Sequence, residues 1–512
     1  MMQKIERGQG ITRSERKLAK LADKTFLSLW AYPNSYNDRD MRKGQGKELC
    51  DLLAVCGDDV LVFSDKEITW PNGDLETAWR RWYRRAVTSS VKQIRGAERW
   101  IRTHPDRVFI DAECKTQLPV NLPPPARLRI HGIVVASGSE PAVRQHVGDK
   151  DGTLMVIGQP PSPQSGSRAS IDFPPFMVGD PDPQGSFVHV FDAPSLKLVM
   201  SELDTISDFV AYLIERSKAI RSGTLGIAAA EADLLALYLS NAGPDGRNEL
   251  PVGPAYNNDM LAVAPGNYRA LRASPEYRAR VAANADSYHW DRLIELFARN
   301  LLGGTSVAVA GMQPEIRSAE VALRQMALES RVNRRALGHA FMSAYRKAEE
   351  AKQDRFARLI LPFEGCADPE SAYLFLVLAN RGDWLTAKGY DYYREGRGGF
   401  LKAYCQVALF QNRSLKRIVG IAVDAAPSLT GRVGGSEDLM MVQIDEWTPE
   451  LEEETRKWQD EAEILLRDRL QPSLLRQRSL AERDTDRFYS GNRKERLAAR
   501  AKARRRAKKG PR

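Results

Sequence analysis

Two short segments that flank a predicted turn carry an aspartate, a serine and a lysine whose spacing suits phosphate chemistry. Residues 46–51 read GKELCD, and residues 60–66 read VLVFSDK. Because successive strand residues point to opposite faces, Ser64 and Lys66 share one face, and Asp51 on the neighbouring strand can lie beside them. A charged pair beneath apolar strands costs free energy unless it is satisfied, and a divalent metal with a phosphate is one arrangement that satisfies it.

The elements that would position these residues follow the predicted order α, β, β, β, α, β. Helices are indicated by N-cap residues before apolar positions that recur every three or four residues, and strands by apolar runs between turn residues. The predicted elements are a helix at 14–24 capped by Ser14, a strand at 26–32, a β-hairpin with strands 49–56 and 60–68, a helix at 74–103 capped by Asp74, and strands at 108–115, 128–136, 154–157 and 187–191.

This element order, together with Asp51 and Lys66, resembles the PD-(D/E)xK nuclease superfamily, especially its Mrr-like and NERD-like bacterial branches. The resemblance covers about the first 140 residues. It implies an α/β fold with a restriction-endonuclease-like N-terminal domain and an α-β-β-β-α-β core. It also implies a metal-dependent nuclease that hydrolyses phosphodiester bonds of DNA, in defence or repair, with Mg²⁺ or Mn²⁺ as cofactor. By this resemblance Asp51 is the metal-binding acid and Lys66 is the catalytic lysine.

The chain departs from the family pattern at Ser64, which stands where the family has an acid. The resemblance implies that another carboxylate completes the metal site with Asp51, and the two replacements are Glu76 and Glu48. Glu48, or Glu15 in the first helix, would be the accessory acid, and Gln93 matches the polar residue on the following helix. The alternative is a catalytically inactive nuclease fold that binds nucleic acid or serves as a scaffold, with Asp51 and Lys66 as a structural ion pair.

The densest basic cluster outside the C-terminus lies on the predicted helix that follows the hairpin. Its members Arg80, Arg81, Arg84 and Arg85 are interleaved with Trp79, Trp82 and Tyr83. Arginines at this spacing are expected to contact nucleic-acid phosphates next to the site. The alternative is a solvated helix face whose aromatic residues belong to the core, and for the tryptophans that alternative is favoured.

The formal net charge of +10 is located almost entirely at the C-terminus. Residues 493–512 contain eleven Lys or Arg and one acid, so the rest of the chain is close to neutral. The sequence predicts a nuclease-like domain at 1–220 with a Pro, Gly and Ser-rich loop at 159–186, a mostly helical domain at 221–354, a small α/β domain at 355–470, and a basic tail at 471–512 that raises affinity for DNA or RNA.

Several other classes of protein are disfavoured by composition. Five cysteines without a C-x-x-C pair indicate neither a disulfide framework nor a zinc knuckle. With a mean hydropathy of −0.43 and no long apolar run, the chain is expected to be cytoplasmic and to have no membrane partner. DNA is the expected partner, RNA stays open, and no protein partner is indicated. A third hypothesis places activity in the C-terminal α/β domain, where Arg381, Asp383, Arg397 and Asp424 converge.

Overall fold

The N-terminal part of the chain is organised around a mixed β-sheet. The computed structural model describes residues 3–158, 173–241, 247–251, 260–306, 315–351, 355–363, 365–378, 383–424, 437–461, 463–464 and 468–470. The strands are β1 (Ala31–Asn37), β2 (Lys47–Cys56), β3 (Asp59–Glu67), β4 (Val108–Phe109), β5 (Arg129–Ser137), β6 (Met155–Ile157), β7 (Met177–Val178), β8 (Val188–Phe191), β9 (Leu225–Ala228), β10 (Leu261–Val263), β11 (Arg355–Ile360), β12 (Ser371–Leu378), β13 (Arg417–Asp424), β14 (Glu437–Gln443) and β15 (Asp468–Leu470).

Helices cover this sheet and fill most of the middle of the chain. They are α1 (Arg13–Phe26), α2 (Leu75–Tyr83), α3 (Ser89–Thr103), α4 (Glu140–His146), α5 (Ala193–Glu202), α6 (Ile206–Arg221), α7 (Glu231–Ser240), α8 (Asn267–Ala273), α9 (Pro275–Ala283), α10 (Ser287–Leu302), α11 (Ile316–Ala327), α12 (Arg331–Ala351), α13 (Asp383–Gln411) and α14 (Pro449–Glu461). A π-helical turn, Arg84–Thr88, joins α2 to α3. The predicted α/β class is confirmed.

The six strands of the first sheet have the order β4-β1-β2-β3-β5-β8. Neighbours among β1, β2 and β3 are antiparallel, whereas β5 runs parallel to β3 and β8 parallel to β5. The predicted hairpin is confirmed as β2 and β3, and the predicted long helix is α2 and α3 with Asp74 as its N-cap. This helical segment forms the crossover from β3 to β5, so it lies over the sheet next to the hairpin.

Helices bury both faces of β2 and β3, which explains why both strands are almost continuously apolar. On one face α1 packs against the hairpin, and the rings of Phe26 and Phe63 lie 6.1 Å apart. On the other face α3 packs closely over β5. A Cβ at Gly132 would lie only 2.7 Å from Ile94 Cγ2, so a larger residue there would push the helix away.

Two further sheets complete the described structure. A four-stranded sheet has the order β10-β9-β6-β7, and because β6 pairs with β9 it spans the predicted boundary at residue 220. A five-stranded sheet has the order β14-β13-β12-β11-β15, with β12 and β13 parallel and connected through α13. One side of this sheet shares the main core, and the other has a separate core with α13 and α14.

The predicted strand at 26–32 is wrong, because residues up to Phe26 belong to α1 and the strand begins at Ala31. Pro33 does not end it: it is paired with Leu52 on one side, while β4 pairs on the other side only with Tyr36 and Asn37. At Pro33 the strand is therefore an edge, where a missing N–H costs no hydrogen bond. The helix N-cap is Thr12 rather than Ser14.

Other predicted segments also differ in detail from the structure. The strand predicted at 108–115 ends at Phe109, because the Asp111 carboxylate accepts hydrogen bonds from the N–H groups of Lys115 and Thr116 and closes a turn. In the predicted α/β domain, α14 ends at Glu461, and β15 follows it as a strand paired with β11. Within the predicted loop 159–186, residues 159–172 lie outside the described part, and β7 pairs with β6.

Candidate functional site

The β2–β3 hairpin opens at the end that carries the predicted site. Pairing of the two strands runs as far as Leu52 and Phe63, and Asp51 is the next residue of β2. Its Oδ2 accepts a hydrogen bond from the Asp65 N–H at 2.6 Å. The carboxylate thus takes the place of a backbone carbonyl in the ladder, which fixes Asp51 between the strands with only 3% of its side chain exposed.

Lys66 lies beside this aspartate. Its Nζ is 3.6 Å from Asp51 Oδ2, and 35% of the lysine side chain is exposed, so the pair lies where solvent meets the sheet. Burial raises the pKa of Asp51, although the Lys66 ammonium and the Asp65 N–H both oppose the rise. The structure therefore brings together the two residues on which the nuclease hypothesis depends.

Ser64 and Gln93 complete the same face. The buried Ser64 hydroxyl donates to Gln93 Oε1 at 2.9 Å, and the Gln93 side chain also hydrogen-bonds Asp51. Because Gln93 comes from α3, the helix that covers this face, its amide connects the position of the helix to that of the aspartate. Alternation along the strands correctly predicts that Asp51, Ser64 and Lys66 are neighbours.

Asp65 points to the opposite face, towards α1, where its side chain hydrogen-bonds Ser14. It is 7% exposed, and its Oδ1 is buried without a hydrogen-bond partner among the described residues. Burial, together with the nearby negative charge of Asp51, raises its pKa to about 6. A buried carboxylate oxygen with no donor is costly, so this atom needs a cation or a proton.

Two further carboxylates, those of Glu15 and Glu48, lie on the α1 side of the sheet. The Asn34 amide donates both to Glu15 Oε2 and to Glu48 Oε1, each at 2.9 Å. Burial and the charges of Asp51 and Glu15 raise the pKa of Glu48. Burial also acts on Glu15, but hydrogen bonds from Asn34 and from the Ile11 N–H lower its pKa overall. We call Glu15, Glu48, Asp51 and Asp65 the acidic cluster.

Asn34, Ser14 and Asp65 are residues of this site to which the sequence analysis assigned no role in it. Asn34 adopts a left-handed backbone conformation with φ of 51°, which asparagine tolerates better than most residues. The dipeptide Pro33-Asn34 is a typical turn signal and could have indicated this irregularity in the strand. The sequence shows Asp65 as a carboxylate next to Ser64, but strict alternation of strand residues predicts that its side chain points away from Asp51.

Glu76, the other predicted metal ligand, is exposed in the first turn of α2. No hydrogen bond or ion pair of the described residues joins it to Asp51, and its charge is not among the main influences on the pKa of Asp51. Within the described ranges, no three His, Cys, Asp or Glu side chains form a ready metal-binding group. The predicted ligand set of Asp51, Glu48 and Glu76 is therefore not assembled in this structure.

The predicted basic cluster lies on the surface next to the hairpin. Arg80, Arg81, Arg84 and Arg85 are all exposed, and the last two belong to the π-helical turn. By contrast, Trp79 and Trp82 are buried, with their rings stacked 5.3 Å apart. The tryptophans therefore belong to the core, which leaves the guanidinium groups as the part of this helix that can meet a ligand.

The C-terminal sheet contains a second charged cluster, part of which the third hypothesis predicted. Arg397 is buried and contacts Asp424 at 2.5 Å and Asp438 at 2.6 Å, and the Tyr393 hydroxyl donates to Asp424. Arg381 and the side chain of Asp383 lie outside the described part. In the described part Arg397 offsets two carboxylates, as a structural ion pair would.

Comparisons of the chain with family models, with curated proteins and with solved structures find no match. Among the helices of the described ranges, none has the length and apolar character needed to span a bilayer. The predicted basic tail, 471–512, lies outside the described residues.

Proposed function

We propose that this protein is a metal-dependent nuclease that hydrolyses phosphodiester bonds of DNA, with a restriction-endonuclease-like N-terminal domain. The observation that carries the proposal is the opened hairpin end, where Asp51 and Lys66 meet 3.6 Å apart beside three further carboxylates. The sheet order and the crossover through α2 and α3 support the fold assignment, because they give the core order α, β, β, β, α, β.

The chemistry of the acidic cluster fits a hard divalent cation such as Mg²⁺. All its donors are oxygens, one of them the unpartnered Oδ1 of Asp65, and burial raises the pKa of Asp51, Glu48 and Asp65. Mg²⁺ often binds proteins through one or two carboxylates and keeps its remaining ligands as water and substrate phosphate. A preformed set of three protein ligands is therefore not required. Asp51 would be the first ligand, with Asp65, Glu48 or Glu15 as the second.

The protein residues have separate tasks in this proposal. When bound, the cation supplies a water of lowered pKa and offsets charge on the phosphate. Lys66 positions that water with its ammonium group and stabilises the negative charge that grows on the phosphate oxygens as water adds and the leaving oxygen departs. Gln93 holds the Asp51 carboxylate through its amide, and Ser64 fixes the orientation of that amide.

The arginines on α2 and the π-helical turn suit contacts to a nucleic-acid backbone. Arg84 and Arg85 form no ion pair with a described acid, so their charges are available to phosphates. Such contacts orient a duplex or strand without selecting a base sequence. Cleavage is accordingly expected on DNA of many sequences.

The deciding experiment measures cleavage of plasmid and single-stranded DNA, with an RNA arm, by the purified full chain in Mg²⁺ or Mn²⁺. Asp51→Asn and Lys66→Ala are each expected to lower the rate about 10²-fold or more, because each removes stabilisation of the transition state. The matched controls Asp106→Asn and Lys197→Ala change exposed residues outside the cluster, and Glu76→Gln changes an exposed residue of α2. All three should cut at the wild-type rate.

A second function, binding of nucleic acid without cleavage, is favoured by one observation. Ser64 occupies the position of the family acid, and its hydroxyl is already engaged by Gln93. The same experiment separates the two functions. If the wild-type chain binds DNA but leaves it intact with either metal, or if both Asp51→Asn and Lys66→Ala keep full activity, the nuclease site proposed here is refuted.

A further inference from the structure

We propose that a cavity at the opposite end of α1 from the acidic cluster binds a small organic phosphate, an apolar or aromatic body with a phosphate group. The cavity lies between the N-terminal segment, the last turn of α1 and the length of α10, and its volume is about 770 Å³. That volume falls within the usual range for small-molecule sites, about 300–1,000 Å³. The proposal does not depend on the nuclease function.

The N-terminal segment forms one wall of this cavity and is anchored at two points. The Ile5 N–H donates to the carbonyl of Leu302 at 2.8 Å, and Arg7 forms an ion pair with Asp23 at 2.9 Å. These contacts hold the segment against α10 and α1, so the cavity is part of the fold.

The acids that line the cavity are already satisfied by neighbouring groups. Asp291 accepts from Arg331 at 2.6 Å and from Arg334 at 2.7 Å, both from α12 behind the cavity wall. Glu295 accepts from the Ser28 N–H at 2.6 Å and from the Ser28 hydroxyl at 3.0 Å. Asp23 is paired with Arg7, as noted above. None of these carboxylates is therefore left to bind a cation from solution.

The cationic side chains on the rim of the cavity have fewer and weaker charged partners than these acids. Among the described residues, Lys24 makes no ion pair, and Arg292 hydrogen-bonds only the ring nitrogen of His289 on its own helix, at 2.8 Å. Lys4 and Arg299 also line the cavity. The Lys4–Glu6 pair is exposed at both ends, and in the Arg299–Glu295 pair, 3.5 Å long, the guanidinium is 77% exposed, so solvent weakens both pairs. The rim thus presents excess positive charge, and several adjacent cations suit a group with more than one negative charge.

Apolar side chains form the rest of the lining. Ile5, Leu27 and Leu302 contribute aliphatic surface, and Tyr288 contributes a ring whose hydroxyl donates to Asp204. A purely inorganic anion would leave this surface unused. The combination of an apolar wall with a basic rim favours an organic phosphate, of which a nucleotide is a suitable probe.

There is an alternative explanation for two of the cations. Lys24 and Arg299 lie in the last turns of α1 and α10, where positive charge interacts favourably with the helix dipole. Arg292 lies in the middle of α10 and has no such role. It is therefore the most informative residue to change.

The test is isothermal titration of the full chain with ATP, adenosine and inorganic phosphate, in EDTA so that the acidic cluster holds no metal. ATP is expected to bind at least tenfold more tightly than adenosine or phosphate. Arg292→Ala and Lys24→Ala should each weaken ATP binding about tenfold, whereas the matched control Lys197→Ala should leave it unchanged. Asp51→Asn should also bind normally, which separates this cavity from the proposed nuclease site.

Two results would overturn the proposal. One is the absence of ATP binding at millimolar concentration, which would leave Lys24 and Arg299 as helix-end charges. The other is an unchanged affinity in the double variant Arg292→Ala, Lys24→Ala, which would place the nucleotide elsewhere on the chain. Far-ultraviolet circular dichroism of each variant confirms that the fold is retained, as expected for exposed residues.

Discussion

The acidic cluster and the charged cluster of the C-terminal sheet contain similar residues but have opposite charge balance. In the C-terminal sheet the buried Arg397 bridges Asp424 and Asp438, and Arg394 also pairs with Asp438 at 3.2 Å, so two cations face two carboxylates. At the opened end of β2 and β3, the acidic cluster has four carboxylates and one partly exposed lysine, which pairs with Asp51, and an oxygen of Asp65 has no partner among the described residues. The charges of the C-terminal cluster are neutralised within the fold, whereas the acidic cluster carries excess negative charge that a bound cation would neutralise.

This comparison gives a physical criterion for separating structural charges from functional ones. A buried ion pair that is fully matched stabilises only weakly, but it is costly to break. An unmatched set of carboxylates destabilises the folded chain, and proteins keep such sets where they are needed for binding or catalysis. The two clusters should therefore respond in opposite directions when one charge is removed.

The largest expected effect is in the C-terminal sheet. Arg397→Met leaves the buried Asp424 without its cation, while Asp438 keeps its ion pair with Arg394, so the free energy of unfolding should fall by about 3–5 kcal/mol. Urea denaturation followed by fluorescence measures the change. Lys457→Met, which breaks an exposed i,i+4 pair on α14, is the matched control and should cost less than about 1 kcal/mol. Equal effects of the two substitutions would contradict the structural role given to Arg397.

The acidic cluster should respond with the opposite sign. Because the pKa of Asp65 is raised from 3.8 to about 6 in the folded chain, the folded state binds its proton more tightly than the unfolded state. Stability from this group is fully present below pH 3.8 and is lost as the pH rises to about 6. Asp65→Asn should therefore stabilise the chain by up to about 3 kcal/mol at pH 7.5.

The pH dependence identifies the cause of this stabilisation. Urea midpoints of the wild type and Asp65→Asn should converge near pH 4 and separate as the pH rises to 7. If the two proteins differ by the same amount at both pH values, the gain does not come from ionisation of Asp65. A destabilised variant at pH 7.5 would show that the charge is already compensated within the fold.

The smallest expected effect is stabilisation by metal. If the acidic cluster binds Mg²⁺, a concentration ten times the dissociation constant should raise the free energy of unfolding by about 1.4 kcal/mol. The measurement is a melting curve with and without 10 mM MgCl₂. Asp51→Asn should lose this shift, while Arg397→Met, which alters the other cluster, should keep it. A shift that survives in Asp51→Asn would place the cation outside the proposed site.

Local pattern predicted the elements that place the site, but not the detail of its geometry. The apolar runs predicted the hairpin. The alternation of strand residues predicted that the side chains of Asp51, Ser64 and Lys66 lie close together. The hydrogen bond from the Asp65 N–H to Asp51 could not be predicted, because it requires the ladder to stop at Leu52 and Phe63. That opening depends on how the whole sheet packs, which a single strand does not encode.

The same limit explains the two errors that affected the site. The strand predicted at 26–32 stops short of Pro33, since the sequence does not reveal that β1 is an edge at that point. The choice of Glu76 as a metal ligand followed from its place in the first turn of α2, but the distance from a helix turn to a strand end is a tertiary property. Glu15, far apart in sequence from Asp65, approaches it only through the packing of α1 on the sheet.

The π-helical turn at Arg84–Thr88 determines which side of α3 meets the sheet. Trp82, Ala86, Ser90 and Ile94 are all buried and follow one another at intervals of four residues. In a regular α-helix twelve residues advance the azimuth by about 120° beyond whole turns, whereas one extra residue absorbed by a π turn reduces this drift to about 20°. The same residues in a regular α-helix would rotate Gln93 away from Ser64 by roughly a quarter turn, whereas deleting Thr88 would remove the extra residue together with the π turn and leave Gln93 facing Ser64.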